Sequence, residues 1–155
     1  MSSPTGPVTE RQVQEDVARL DVYRNQLNSL LQQHQYLSAS RAEHVRARTT
    51  LEGLERVPAG SELLIPVGGE TYLRGSPAPT SKVLIGIGDG FVAELERAQA
   101  TELLAQRLTK IDQATGEIEG QVRTLEERIQ ILNQRLDALA RATSGEPLAG
   151  DVGSD

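Results

Sequence analysis

Residues 82–95 read KVLIGIGDGFVAEL, a run of branched aliphatics punctuated by glycine at 86, 88 and 90. Two structures compete for such a stretch, a phosphate-cradling loop and a tight β hairpin. A dinucleotide fingerprint needs G-x-G-x-x-G between strand and helix, because the third glycine lets the helix pack closely and bring its N-terminus to the pyrophosphate. The third position here is Phe91. A Walker-type loop needs Lys and then Ser or Thr after its closing glycine, and Phe91-Val92 stands there instead. The helical pattern resumes only near Leu95, whereas Gly88-Asp89-Gly90 has the composition of hairpin turns with positive φ. The stretch therefore predicts two strands, 82–88 and 90–95, joined at Asp89-Gly90 or Gly88-Asp89. Gly86 and Gly88 then share one strand face, with Val83, Ile85 and Ile87 on the other. A bare face suits close approach of another strand or layer.

The same period of two occurs upstream, in SELLIPV (61–67) and ETYLRG (70–75), with Gly68-Gly69 between them. A Pro/Ser loop, SPAPTS (76–81), links the two hairpins. On either side the period changes. Alternating steps of four and three from Leu104 land on 108, 111, 115, 118, 122, 125, 129, 132, 136 and 139, and every one is Leu, Ile or Val except Thr115. A period of 3.5 held for about five heptads defines a left-handed coiled-coil seam. The first helix is expected from Thr9-Glu10-Arg11-Gln12, which has capping-box spacing, to Arg56 before Pro58 and Gly60. Its seam, read as Val13, Val17, Leu20, Leu27, Leu31 and His34, drifts in register. Antiparallel pairing with equal rise sets position n opposite roughly 150 minus n. The middle then collects His34, Ser38, Arg41, Thr115, Gly116 and Gly120, a loosely packed zone in which each interior glycine costs about 1 kcal/mol relative to Ala.

The totals agree with a chain that buries helix against helix. Its 155 residues carry a formal charge of −6, unsuited to a phosphate-binding surface, so nucleic acid is not an expected partner. Aromatics make up 3% of the residues and Trp is absent, so little core comes from large rings. Without Cys there are neither disulfides nor thiolate metal sites. The opening MSSPTGPVTE has no basic start or apolar block, and no apolar run approaches the roughly 20 residues of a membrane span. A cytoplasmic protein is the expectation.

Other side chains with chemical potential read as structural. His34 and His44 are ten apart, whereas a helical metal site uses i,i+4 spacing. Asp16, Asp21 and Glu126-Glu127 have no implied pocket that would tune a carboxylate for general acid or base work. Tyr72 and Phe91 read as strand-face packing and not as platforms for bases. Neither a cofactor nor enzymatic activity is expected. The hairpins raise a different question, since isolated hairpins are marginal in water and two long helices cannot cover their edges. The economical reading is an α+β chain: a long antiparallel two-helix coiled coil with two central β hairpins that contribute to an oligomeric β barrel.

A long helix, two hairpins and a second long helix, with LLIPVGGETYLRG and KVLIGIGDGFVAEL between them, resemble the prefoldin alpha subunit of archaeal type over about Thr9 to Arg141. The resemblance implies a hexamer of two alpha and four beta subunits that captures unfolded chains between its arm tips without ATP and passes them to a group II chaperonin. The client-binding tips expected here are Val13, Val17 and Leu20 with Leu132, Leu136 and Leu139. The oligomerisation residues expected are Leu64, Ile65, Val67, Tyr72, Leu73, Val83, Leu84, Ile85, Ile87, Phe91 and Val92. The expected segments are a disordered N-terminus (1–8), a first arm helix (9–57), the hairpin platform (58–95), a second arm helix (96–142) and a disordered acidic tail (143–155). The other class of function is a coiled-coil tether that only spaces two partners. Such a spacer has no need of the four-strand insert.

Overall fold

In a computed structural model, residues 9–78 and 80–145 are described. The expected disorder of residues 1–8 and of the tail beyond Gly145 lies outside the described residues. The order of elements is α1 (Glu10–Leu54), β1 (Leu63–Gly68), β2 (Thr71–Gly75), β3 (Lys82–Gly88), β4 (Phe91–Glu96) and α2 (Arg97–Thr143). Each helix begins with a glutamine three residues past its cap reaching back to the cap amide. Thr9 N–H donates to Gln12 Oε1 at 3.2 Å, and Glu96 N–H to Gln99 Oε1 at 3.2 Å. This satisfies one amide that an uncapped first turn would leave open. Helix α1 unwinds through Arg56 N–H to Gly53 O and Val57 N–H to Leu54 O before Pro58, which has no amide hydrogen to continue the ladder. Past the end of α2, Gly145 takes a left-handed φ of 59°, the usual helix stop.

The chain divides into two compact units, one ending at Gln35 and resuming at Gly116, the other Tyr36–Thr115. In the first unit the seam of α2 runs through Ile118, Val122, Leu125, Ile129, Leu132, Leu136 and Leu139, all half-buried or buried. The α1 seam runs through Val13, Asp16, Leu20, Tyr23, Leu27, Leu30 and His34. It keeps the 3.5-residue period by using polar residues. A reading that follows apolar residues alone selects Val17 and Leu31, each one position further on, and both face solvent at 44% and 43% exposed. Asp16 with Arg135, Tyr23 with Arg128 and His34 with Glu119 confirm antiparallel pairing, within about three residues of the expected register.

In the second unit the two hairpins form separate two-stranded antiparallel sheets. Leu63 pairs with Gly75 and Gly68 with Thr71, while Lys82 pairs with Glu96 and Gly88 with Phe91. The turns are Gly69-Glu70 (φ 55° and 58°) and Asp89-Gly90 (φ 50° and 78°), both central residues left-handed as a type I′ turn demands. The first turn thus lies one residue beyond Gly68-Gly69. Gly68 (φ 104°) and Gly88 (φ 112°) each follow a bulge, and the bulge between Gly86 and Gly88 ends the simple alternation expected of the glycines. The core of this unit is Ile85 of β3 against Ala100 and Leu104 of α2, with Leu51, Val83, Leu95 and Leu103 around them. No helix among the described residues is long and apolar enough to cross a membrane.

Candidate functional site

Of the eleven residues expected to join subunits, nine are exposed, at 48 to 74% of their surface: Leu64, Ile65, Val67, Tyr72, Leu73, Leu84, Ile87, Phe91 and Val92. Val83 and Ile85 depart from that expectation. They lie on the face of β3 that packs against Ala100, Leu104 and Leu51, so their area is spent within the chain. Adjacent residues point to opposite faces, so the uncovered groups lie on both faces of β1 and β2, while Leu84 and Val92 lie on the outer face of β3 and β4. Monomeric surfaces rarely carry so much contiguous apolar area unless another chain covers it.

The two hairpins also form an internal repeat. Residue n of the first corresponds to n + 20 of the second: Leu63 to Val83, Ile65 to Ile85, Gly68 to Gly88 and Gly75 to Leu95, with the same register and the same bulge. The matching residues Leu64 and Leu84, Ile65 and Ile85, and Gly68 and Gly88 carry the signal in the sequence. Hydrophobic alternation alone did not reveal it.

The distal ends of the helices hold the other expected site. Leu20 and Leu132 are buried in the coil, Val13, Leu136 and Leu139 are half-buried, and Val17 is exposed. Val22 and Ile131, absent from the sequence-based set, are also exposed apolar groups of this unit. Asp16 is 4% exposed, with its Oδ2 3.1 Å from Arg135 Nε but without an aligned hydrogen bond. The pair therefore balances charge without satisfying the buried oxygen, and the cost of desolvating the two groups offsets much of their attraction. Arg128 lies 5.8 Å over the Tyr23 ring. A groove of about 750 Å³ opens where Gly120 faces Gln26, Ser29 and Leu30.

The remaining polar groups are held by local partners. His34 Nε2 donates to Glu119 Oε1 at 3.3 Å, and His44 Nδ1 donates to the Ser40 carbonyl at 2.7 Å. Arg41 Nε donates to Asp112 Oδ1 at 2.6 Å, and this hydrogen bond, with the carboxylate charge, holds the guanidinium above its ordinary pKa. Arg74 lies 3.2 Å from Glu62, and Lys82 stands opposite Glu96. Among the described residues no three His, Cys, Asp or Glu gather as metal ligands.

Two long helices joined through two small antiparallel hairpins with exposed apolar residues define the class of fold. Comparison with known proteins gives the family. The model described as "Prefoldin subunit" matches residues 23–142, and the chain belongs to the prefoldin subunit family, a family of chaperones that are not enzymes. It is similar to the prefoldin subunit alpha of Pyrococcus horikoshii, at 29% identity over 70% of this chain and 74% of that one. It is similar also to the prefoldin subunit alpha of Methanoculleus marisnigri, at 29% identity over 93% and 95%. Among solved structures, a filamentous PFD from Methanocaldococcus jannaschii aligns with a TM-score of 0.63 at 23% identity, covering 76% of this chain and 97% of that one. The prefoldin beta subunit of Thermococcus strain KS-1 aligns with a TM-score of 0.54 at 19% identity, covering 82% and 90%. These two likenesses bear out the fold.

Proposed function

We propose that this chain is the alpha-type subunit of a cytoplasmic, ATP-independent chaperone, two alpha with four beta subunits, that holds non-native polypeptides at its coiled-coil ends and passes them to a group II chaperonin. The observation that carries the reading is the hairpin platform. Nine large apolar side chains stand uncovered on two two-stranded sheets, and a hairpin with neither further strands nor a helix against it is marginal in water. Companion strands closing a barrel cover one face of each hairpin and remove the open edges. The relatives of alpha type and the structural likeness to a beta subunit support a heteromeric assembly.

The arm ends supply the client surface in this reading. Val17 is accessible as it stands, Val13, Leu136 and Leu139 in part, and Leu20 with Leu132 become available when the end turns splay. Each such side chain buried against a client contributes at most about 1.5–3 kcal/mol, so holding depends on several arms acting on one chain at once. Release then needs no nucleotide, because single contacts are weak. The test uses the hexamer assembled with a beta-type subunit, with this chain shortened to residues 21–131 at both ends. Light scattering of a diluted, denatured client should show that the shortened hexamer no longer suppresses aggregation. Equal protection by both forms would refute the role of the tips, and a native mass other than two plus four would refute the stoichiometry.

A further inference from the structure

The hairpin repeat gives an internal comparison, because one hairpin has a covered inner face and the other does not. The outer faces match: Leu64 and Tyr72 in the first, Leu84 and Val92 in the second, all exposed. The inner faces differ. Ile85 is 9% exposed, seated on Ala100 and Leu104, while its counterpart Ile65 is 48% exposed and Leu73, counterpart of Ala93, is exposed too. One isoleucine at one register position thus has a floor in one hairpin and none in the other. The chain supplies two hairpins but one helix base, and that base is already occupied by the second hairpin.

We propose that the inner face of the first hairpin, Leu63, Ile65 and Leu73, docks on the helix base of a neighbouring prefoldin subunit, as its repeat docks on this chain's own helices. The inference rests on the assembly proposed above and names the contact. The required partner surface is the chemistry seen under Ile85: a small, fully buried residue such as Ala100 as floor, with leucines such as Leu104 and Leu51 as walls. The details of the first hairpin fit a face waiting for a floor. Gly75 stands where Leu95 stands in the repeat, and Ile65 Cδ1 lies 2.9 Å from where a Gly75 Cβ would sit, so Ile65 folds across its own sheet. The middle of β1 is also poorly suited to gaining a strand, since Pro66 has no amide hydrogen. At the matching position of β3 the Gly86 carbonyl already accepts from Arg107. Contact through the face of the first hairpin is what these two positions leave open, with strand addition left to β2 and β4.

The experiment uses the complex of the full chain with a beta-type subunit, with p-benzoylphenylalanine replacing Leu63 or Ile65, and replacing Ile85 as control. Native mass before irradiation shows whether the complex forms. Failure of the unmodified chains to assemble refutes the proposed function itself, separately from this contact. In the intact complex, position 85 should cross-link to this chain's own residues 97–108. Positions 63 and 65 should cross-link to the helix segments flanking a hairpin of another subunit. Cross-links from 63 and 65 to strands only, to this chain's own helices, to added client or to nothing would each overturn the docking. Independently, Ile65→Asp should lower the yield of complex at least tenfold while leaving the helix content of the free chain unchanged, and Ile65→Leu should restore it. Full assembly of Ile65→Asp would be an equal refutation.

Discussion

Replacing Gly116 and Gly120 by alanine should stabilise the protein. Both glycines lie inside α2, neither has a positive φ, and a Cβ built on either meets nothing within 4 Å. No local geometry demands glycine, so the helix pays the entropic penalty of two freely rotating residues with no return inside the chain. Glycine is about 0.8–1.0 kcal/mol worse than alanine in a helix interior, which makes the pair worth about 1.5–2 kcal/mol. The methyl at position 120 also enters the groove beside Leu30 and Leu125 and removes some of their apolar surface from water, a few tenths of a kcal/mol more at about 25 cal/mol per Å². For a chain of this length each kcal/mol raises Tm by about 2–4 °C, so the double variant should melt about 3–8 °C higher. Circular dichroism at the helix band measures the shift, and amide exchange locates it. A Tm that stays level or falls would refute the reasoning.

Leu104→Ala should cost about 2–5 kcal/mol in denaturant unfolding, because Leu104 is buried beneath Ile85, whereas exposed Val17→Ala should stay within about 0.5 kcal/mol. Arg135→Ala strands the buried Asp16 carboxylate and should destabilise by about 1–3 kcal/mol, while Asp16→Leu should be neutral or stabilising; thermal melts of the single and double variants separate the pair from its desolvation. Arg41 is raised by its hydrogen bond to Asp112 and then by that residue's charge, so its contribution is complete below the unfolded pKa and is lost only as pH climbs through the higher folded value. The difference in urea midpoint between wild type and Arg41→Gln should therefore hold constant from about pH 7 to about pH 10.

The two helices were legible to different degrees because they write the same seam in different alphabets. Helix α2 spells it with Leu, Ile and Val, and the 3.5-residue spacing can be read directly. Helix α1 puts Asp16, Tyr23, His34, Ser40, His44 and Arg48 on the inner stripe, so its apolar residues alone give a drifting register. Asp16, Tyr23 and His34 are met there by Arg135, Arg128 and Glu119 of the partner helix, and a single-helix pattern contains none of those contacts. The turns behaved similarly. The sequence leaves Asp89-Gly90 and Gly88-Asp89 both open and places the other turn at Gly68-Gly69; pairing of Gly88 with Phe91 and of Gly68 with Thr71 selects Asp89-Gly90 and Gly69-Glu70.

Which hairpin is covered was not legible at all, since Ile65 and Ile85 are the same residue in the same alternation. The difference arises from the connections. Strand β4 ends at Glu96 and α2 begins at Arg97, with no residue between to let the sheet swing away. That junction is tightened further: Arg97 N–H donates to the Ser81 carbonyl, Ser81 Oγ donates to Glu96, and Arg107 donates to the Gly86 carbonyl. The second hairpin is thereby held against Ala100 and Leu104, one turn and two turns into the helix that follows it. Strand β2 instead ends at Gly75, with six residues between it and β3, and β1 is reached from α1 through residues 55–62, so among the described residues no comparable junction presses the first hairpin onto a helix. Two copies of one hairpin thus acquire unequal surroundings from the length of the chain beside them. A strand fused to its helix packs against it, and a strand on longer leads leaves its apolar face exposed.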